Sequence, residues 1–366
     1  MLSRALHLAS GALFVSNPNP RVGCVIASAD GRVLAWGHTQ EAGGPHAEIM
    51  ALKNAKARGE SVRGATAYVT LEPCSHHGKT GPCCDALISA GIAKVVASIA
   101  DPNPQVSGQG FERLVAAGVR VEVLPPDSPD AVASRELNIG FFSRMIRKTP
   151  WVRMKVAASL DGKTALDNGK SQWITGEAAR NDGQAWRARA CAVLTGIGTV
   201  LEDNPRLDVR AVDTPRQPHL AVVDSRLETP LDAALFGPNR KVLIYCAKDD
   251  SVKGKALEDR GASVISLPGP GGKVDLAAML SDLAQREVNE LHVEAGHKLN
   301  GSIIRGGLVD EFLVYLAPKL LGAGRDMATW GPLTSLQEAL PLEFLDYVQV
   351  GNDLRIRARV IGRDRF

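Results

Sequence analysis

Apolar positions along the first part of the chain switch between two periods, and each switch marks a change of element. Leu2, Ala5, Leu6, Ala9 and Leu13 recur at helical spacing, so an amphipathic helix opens the chain. A Pro/Asn turn at 17–20 leads to Val22-Gly23-Cys24-Val25-Ile26, a buried-strand run. Asp30-Gly31 then turns the chain into Val33-Leu34-Ala35-Trp36 as a hairpin. Residues 46–58 read as a helix stopped by Gly59, 66–71 as a strand, and 83–90 as a helix begun by Pro82 and ended by Gly91. A strand at 94–99, a helix at 111–117 and a strand at 119–124 complete an α-β-β-α-β-α-β-α-β order. That order predicts a sheet with helices packed on its faces. The prolines of 125–129 break the pattern, and one further helix is expected over 131–147, with Arg144, Arg147 and Lys148 on a solvated face. The domain boundary falls just after it, giving units 1–147 and 148–366.

A second alternation begins at Trp151. Strands are expected at 152–157, 192–195, 220–223, 241–245, 263–266, 291–294 and 312–316, with a helix from Glu177, another at 276–286 and a short segment at 301–305. Strands alternating with helices imply a predominantly parallel sheet, so both halves are α/β. The alternating run 355–360 reads as an edge or returning strand.

Composition narrows the class. Hydrophobic residues make up 45% and charged residues 23% of 366, as in an ordinary globular chain. A formal charge of +3 is too small for this length to argue for nucleic acid or a membrane surface, and 5% aromatics leave little to stack bases. No apolar run approaches membrane-spanning length, and the opening stretch, interrupted by His7, Ser10 and Gly11, does not read as a secretory signal. Six cysteines, three of them crowded into 74–84, argue for metal binding in a reducing cytoplasm rather than a disulfide framework.

The candidate chemistry concentrates in Pro45-His46-Ala47-Glu48 and in Glu72-Pro73-Cys74-Ser75-His76-His77-Gly78-Lys79-Thr80-Gly81-Pro82-Cys83-Cys84. One histidine and two thiols supply the three protein ligands of a catalytic zinc site with one position open. His-x-Glu followed by Pro-Cys…Cys is also the zinc-deaminase signature, in which the Glu moves protons and is not a ligand; it carries two residues between its cysteines. Here residues 75–82 intervene. Residues two apart on a helix point about 200° from each other. His46 and Glu48 therefore reach one ion only beyond the N-terminal end of their helix, and Cys83 stands at a helix start in the same way. Free N–H groups there favour thiolate. His46, Cys74 and Cys83 are the expected ligands of one zinc ion, with Glu48 beside it. Cys84 points elsewhere, Cys24 belongs to the core, and His76 and His77 line the substrate mouth or bind phosphate.

The runs Asn17-Pro18-Asn19-Pro20-Arg21-Val22-Gly23-Cys24-Val25-Ile26, His46-Ala47-Glu48, Thr70-Leu71-Glu72-Pro73-Cys74-Ser75-His76-His77-Gly78-Lys79-Thr80 and Asp101-Pro102-Asn103-Pro104 resemble the deaminase half of the bifunctional riboflavin-biosynthesis deaminase/reductases. That family's longer cysteine loop accounts for the wide gap. The resemblance implies a cytidine-deaminase-like fold and a diaminopyrimidinone ribonucleotide as substrate, with Glu48 shuttling a proton from water to departing ammonia. Asn17, Asp101 and Asn103 are candidates for holding base and ribose.

Generic nucleotide motifs fail in the second half. Gly196-Ile197-Gly198 lacks the third glycine of a dinucleotide fingerprint, Leu201 standing there, and Gly296-His297-Lys298-Leu299-Asn300-Gly301-Ser302 has Ser302 in place of the P-loop lysine. Yet Lys155-Val156-Ala157-Ala158-Ser159-Leu160-Asp161-Gly162-Lys163, Ser171-Gln172-Trp173-Ile174-Thr175, Gly198-Thr199-Val200-Leu201-Glu202-Asp203-Asn204-Pro205-Arg206-Leu207, Val293-Glu294-Ala295-Gly296 and Ala317-Pro318-Lys319-Leu320-Leu321-Gly322 resemble the reductase half of the same family. This implies a dihydrofolate-reductase-like fold using NADPH. It places Ala157, Trp173, Thr199, Asp203, Ser225 and the loop Gly296, His297, Lys298, Leu299, Asn300, Gly301 and Ser302 on the cofactor. Ser171, Arg187, Leu207, Arg210 and Glu294 fall on substrate, and Lys155 and Asp203 give proton help. His297 and Lys298 depart from the family's usual Pro and Thr. Ser225-Arg226 is a candidate for the 2′-phosphate. The likeness is weakest over 225–288.

The implied partner is a small pyrimidine ribonucleotide, with no nucleic acid and no membrane; a homo-oligomer is compatible with the chain. Two other readings follow from the same deaminase motif: an enzyme acting on RNA or DNA bases, and a deaminase whose second half only senses nucleotide.

Overall fold

The computed structural model describes residues 1–75, 81–104 and 106–366. The chain divides into two compact units, Met1–Arg147 and Lys148–Phe366. In the first, α1 (Leu2–Ser10), β1 (Gly23–Ala27), β2 (Val33–His38), α2 (Ala47–Ala57), β3 (Thr66–Val69), α3 (Cys83–Ser89), β4 (Lys94–Ala97), α4 (Gln109–Ala116) and β5 (Arg120–Val123) follow the expected order. They build a five-stranded sheet, β2-β1-β3-β4-β5. β1 pairs antiparallel with β2 and β3, whereas β3, β4 and β5 run parallel.

Two glycines set how closely helices ride on this sheet. A Cβ on Gly23 would lie 1.9 Å from the Ala5 carbonyl oxygen, and one on Gly37 would lie 2.6 Å from the Ala51 nitrogen. Only hydrogen at these positions lets α1 and α2 seat against β1 and β2. Cys24, Ile26, Ala51, Val69, Leu87 and Val95 fill the core between, so α2 and α3 are pinned along their length while their first residues stay at the sheet's end.

The single helix expected over 131–147 is two, α5 (Pro129–Leu137) and α6 (Ile139–Arg147). Asn138 separates them at φ −111°. Its side chain accepts the Arg21 N–H at 2.7 Å and donates to the Arg21 carbonyl at 2.9 Å. Satisfying both backbone groups of a buried residue outweighs one uninterrupted helical turn. Lys148 is exposed, while Arg144 and Arg147 are half-buried, Arg144 lying over the Phe141 ring and Arg147 donating to Ser143.

The second unit contains β6 (Trp151–Ser159), β7 (Lys163–Leu166), α7 (Glu177–Arg189), β8 (Ala192–Gly196), α8 (Ile197–Asp203), β9 (His219–Val223), β10 (Val242–Cys246), α9 (Ser251–Asp259), β11 (Ala262–Ser266), α10 (Leu276–Gln285), β12 (Glu290–Val293), α11 (His297–Arg305), β13 (Glu311–Ala317), β14 (Gly324–Asp326), β15 (Leu342–Val350) and β16 (Asp353–Val360). Its large sheet has the order β11-β10-β9-β8-β12-β6-β13-β16-β15. It is parallel from β11 to β13, and β16 and β15 close it antiparallel. The run 355–360 is therefore a returning strand rather than an edge. β15 takes the edge, and its exposed, weakly patterned face gave no strand signal. The small β7–β14 pair and α9 were likewise not expected. Apolar clusters cover both faces of the parallel part, around Met154, Leu194 and Leu291 on one and around Val193, Leu220 and Ile244 on the other.

Candidate active sites

In the first unit the backbone brings two helix starts together. His46 is the N-cap residue of α2 in extended conformation, Glu48 lies in that helix's first turn, and Cys83 opens α3 after Pro82. The ligand atoms of His46, Cys74 and Cys83 all lie within 4.8 Å of one another. Nδ1 of His46 is 3.5 Å from Cys74 Sγ and 3.4 Å from Cys83 Sγ. A tetrahedral zinc with Zn–N of about 2.0 Å and Zn–S of about 2.3 Å has N···S edges of roughly 3.5 Å. The donor set and its spacing fit zinc.

Electrostatics agree. The Cys74 thiol is pulled below the usual thiol range by hydrogen bonds from the Cys83 thiol, from His46 and from the Cys83 amide, the last at 3.4 Å. The same interaction with Cys74, together with burial, pushes the Cys83 thiol upward. Glu48 is buried and is raised to about 7, first by loss of solvent and then by the charge of Cys74. A carboxyl near neutrality beside two thiols and an imidazole can both take and return a proton.

Around this centre, Cys84 donates its thiol to the Pro73 carbonyl at 3.1 Å, and Cys24 is a core residue. Asp101 is buried, raised to about 7 by burial despite the Asn103 amide, and feels the charge of Cys74. Its Oδ1 accepts the Asn103 N–H at 2.8 Å. Asn17 is half-buried, and its side-chain carbonyl accepts from Arg21 at 3.4 Å. His76 and His77 lie outside the described residues. The sequence reading gave Glu72 no role, yet its buried carboxylate accepts the N–H groups of Asp101, Gly108 and Gly110.

The second unit gathers most of its candidate residues around two cavities. One, of about 470 Å³, is lined by Lys155, Ala157, Ser171, Trp173, Arg187, Thr199, Asp203, Leu207, Arg210, Glu294, Gly296, His297 and Asn300. The other, of about 920 Å³, is lined by Thr199, Ser225, Arg226, Gly296, His297, Lys298, Leu299 and Ser302. Thr199, Gly296 and His297 belong to both linings. Gly301 lines neither: a Cβ there would lie 2.0 Å from the Thr329 carbonyl oxygen, so it serves the packing of α11. Ser225 Oγ accepts the Val274 N–H at 3.2 Å, and Arg226 pairs with Glu228 at 3.0 Å.

Lys155 is lowered from the usual lysine range by burial, which the nearby Glu294 opposes. Arg187 grips Glu294 with two bonds, at 2.7 and 2.9 Å, and donates to the Asp208 carbonyl at 2.6 Å. Despite its burial, Glu294 is thereby held well below the usual carboxylate range. Asp203, at the end of α8, is raised by burial and by Glu202. Leu207 stands at φ +51°, and Arg240 donates to its carbonyl at 2.5 Å. Arg180 stacks on the exposed Trp173 ring at 4.5 Å. Neither Arg240 nor Arg180 had a motif to reveal it, because each acts on a neighbour chosen by the fold.

Comparison with known proteins agrees with both halves. Residues 1–99 match the cytidine and deoxycytidylate deaminase zinc-binding region, and 150–356 match the RibD C-terminal domain. The riboflavin biosynthesis protein RibD of Escherichia coli is 42% identical over 362 residues, covering 96% of each chain. That of Aquifex aeolicus is 38% identical, covering 96% of this chain and 95% of its own. A structure of Acinetobacter baumannii RibD superposes with a TM-score of 0.88 at 38% identity, covering 98% of this chain and 97% of that one. A Thermotoga maritima diaminohydroxyphosphoribosylaminopyrimidine deaminase/5-amino-6-(5-phosphoribosylamino)uracil reductase superposes at 0.85 with 31% identity and the same coverage. The first unit thus has the cytidine-deaminase-like fold and the second the dihydrofolate-reductase-like fold of the RibD reductase domain. The chain belongs to the RibD family, the bifunctional deaminase/reductases of riboflavin biosynthesis.

Proposed function

We propose that residues 1–147 deaminate 2,5-diamino-6-(5-phosphoribosylamino)pyrimidin-4(3H)-one and that residues 148–366 then reduce its ribosyl group to ribityl with NADPH. The convergence of His46, Cys74 and Cys83 on one point, with Glu48 beside them, carries the first half. Zinc held there supplies the Lewis acidity that makes a water proton removable near neutral pH. Glu48 takes that proton as the oxygen adds to the ring carbon bearing the amine and passes it to the ring nitrogen that the addition leaves electron-rich. It then carries the remaining hydroxyl proton to the amine, so the carbonyl forms, the C–N bond breaks and ammonia leaves. Asp101, Asn103 and Asn17 hold the base and ribose. The activities named for the Thermotoga maritima relative support this substrate.

In the second unit, NADPH supplies a hydride to the anomeric carbon of the ribose. Lys155 and Asp203 face the same cavity and give the proton that the released ring oxygen requires. Arg210, Ser171 and Leu207 hold the substrate, while Arg187 fixes Glu294 beside it. Trp173, Ala157, Thr199, Gly296 and the α11 residues His297, Lys298, Leu299, Asn300 and Ser302 border the cofactor, with Ser225 and Arg226 at its 2′-phosphate. The six unpaired cysteines suit the cytoplasm. The exposed Phe344 and Tyr347 of β15 support self-association, which a purely monomeric sedimentation profile would remove.

Replacing Glu48 by Gln tests the reading. The variant is expected to keep about one zinc per chain and to lose ammonia release by at least about a hundredfold. Turnover at the wild-type rate removes Glu48 from its role.

A further inference from the structure

Glu72 is buried two residues before Cys74, in the segment that carries this ligand away from β3. Burying a carboxylate is costly unless its oxygens are satisfied. Here they accept three backbone N–H groups, from Asp101 at 3.1 Å, Gly108 at 3.0 Å and Gly110 at 2.9 Å. Asp101 and Gly108 belong to the loop between β4 and α4, the loop that carries Asn103, and Gly110 lies in the first turn of α4 that closes it. The N–H of Glu72 itself donates to Ile99, at the entry of that loop, at 3.0 Å.

A second set of contacts keys the far end of the loop to the same segment. A Cβ on Gly110 would lie 2.1 Å from the Pro73 carbonyl oxygen. The Cys84 thiol bridges the Pro73 and Gly110 carbonyls at 3.1 and 3.5 Å. Within the loop, Asp101 Oδ1 holds the Asn103 N–H, so the place of Asn103 follows from that of Asp101.

We infer that Glu72 is a positioning residue for the deamination: it holds the Asp101–Asn103 loop at a set distance from the His46, Cys74 and Cys83 cluster. Its effect is on the grip on the ribonucleotide rather than on the bond-making step. The inference rests on the proposed substrate contacts of Asp101 and Asn103.

The test uses the full chain and compares Glu72→Gln, Gly110→Ala and Asn103→Ala in zinc content, reductase rate, and deaminase kcat and KM. Glu72→Gln replaces an acceptor by an amide that opposes the loop's N–H groups. It is expected to raise KM about tenfold while kcat, zinc content and reductase rate stay within about threefold. Gly110→Ala keeps the carboxylate but crowds it, its Cβ falling 3.0 Å from Glu72 Oε1 and 2.1 Å from the Pro73 carbonyl oxygen, and so displaces the same loop; it is expected to raise KM likewise, which keeps the test open if Glu72→Gln does not fold. Zinc loss or a fall in kcat at unchanged KM in Glu72→Gln overturns the inference, since Glu72 is then only an anchor for Cys74. If Asn103→Ala raises KM while Glu72→Gln and Gly110→Ala do not, the positioning role alone fails. If Asn103→Ala leaves KM unchanged, the substrate reading of the loop fails and takes this inference with it.

Discussion

Lys155 lies where a cation is costly, and that cost is what suits it to proton transfer. Burial lowers its pKa, and Glu294, kept anionic by the two-pronged grip of Arg187, opposes the shift. An ammonium that burial destabilises gives up a proton more readily than a surface lysine. Lys155→Met is therefore expected to slow reduction by at least about a hundredfold while leaving NADPH binding, followed by its fluorescence, and ammonia release unchanged. A variant that reduces at the wild-type rate assigns the proton elsewhere, to Asp203 first. His46, Cys74, Cys83 and Glu48, which the structure brings together, were legible as candidates because each chemistry needs its own side chain. Glu72, Arg240 and Arg180 were not, because a carboxylate holding amides or a guanidinium holding a carbonyl has no spacing rule.

At the level of elements, hydrophobic period located the strands and helices that carry the sites, and it failed where tertiary contacts overrode it. The 131–147 helix breaks at Asn138 because a partner more than a hundred residues earlier in the chain, Arg21, claims its side chain. β15 was missed because most of its residues face outward, leaving no buried alternation to read. β12 was recognised as a strand, but the pattern hid that it buries a titratable ring. His292 is 1% exposed, with Nε2 3.5 Å from Glu294 Oε1, and is pushed down to about 3 by burial. Glu294 opposes that shift, and Arg187, Arg153 and Lys155 reinforce it. An unfolded histidine titrates near about 6.5. Between that pH and the folded value the unfolded chain holds a proton that the folded chain lacks. Stability is thus complete above about pH 6.5 and falls as pH drops, by about 1.4 kcal/mol per unit. Comparing urea midpoints of the wild type and His292→Asn from pH 6.5 to 5 checks this: the wild type should lose stability more steeply. Parallel slopes contradict it.

For the whole molecule, the division into two units and the class of each were readable because each half carries its own run of alternating elements. The bulk charge and scarce aromatics gave no support to a nucleic-acid enzyme, and the family match covers nearly the full chain. What the sequence left open was whether the second half works or only senses nucleotide. Its Lys155, Asp203, Arg187 and Glu294 share one cavity with residues proposed for the cofactor, an arrangement that a sensor does not require. The most direct test follows ammonia and NADPH together after mixing the purified chain with the diaminopyrimidinone ribonucleotide and NADPH. On the bifunctional reading ammonia appears first, NADPH absorbance falls only afterwards, and chelating zinc beforehand abolishes both signals. Ammonia release with NADPH unchanged, or NADPH oxidation before any ammonia, would contradict it.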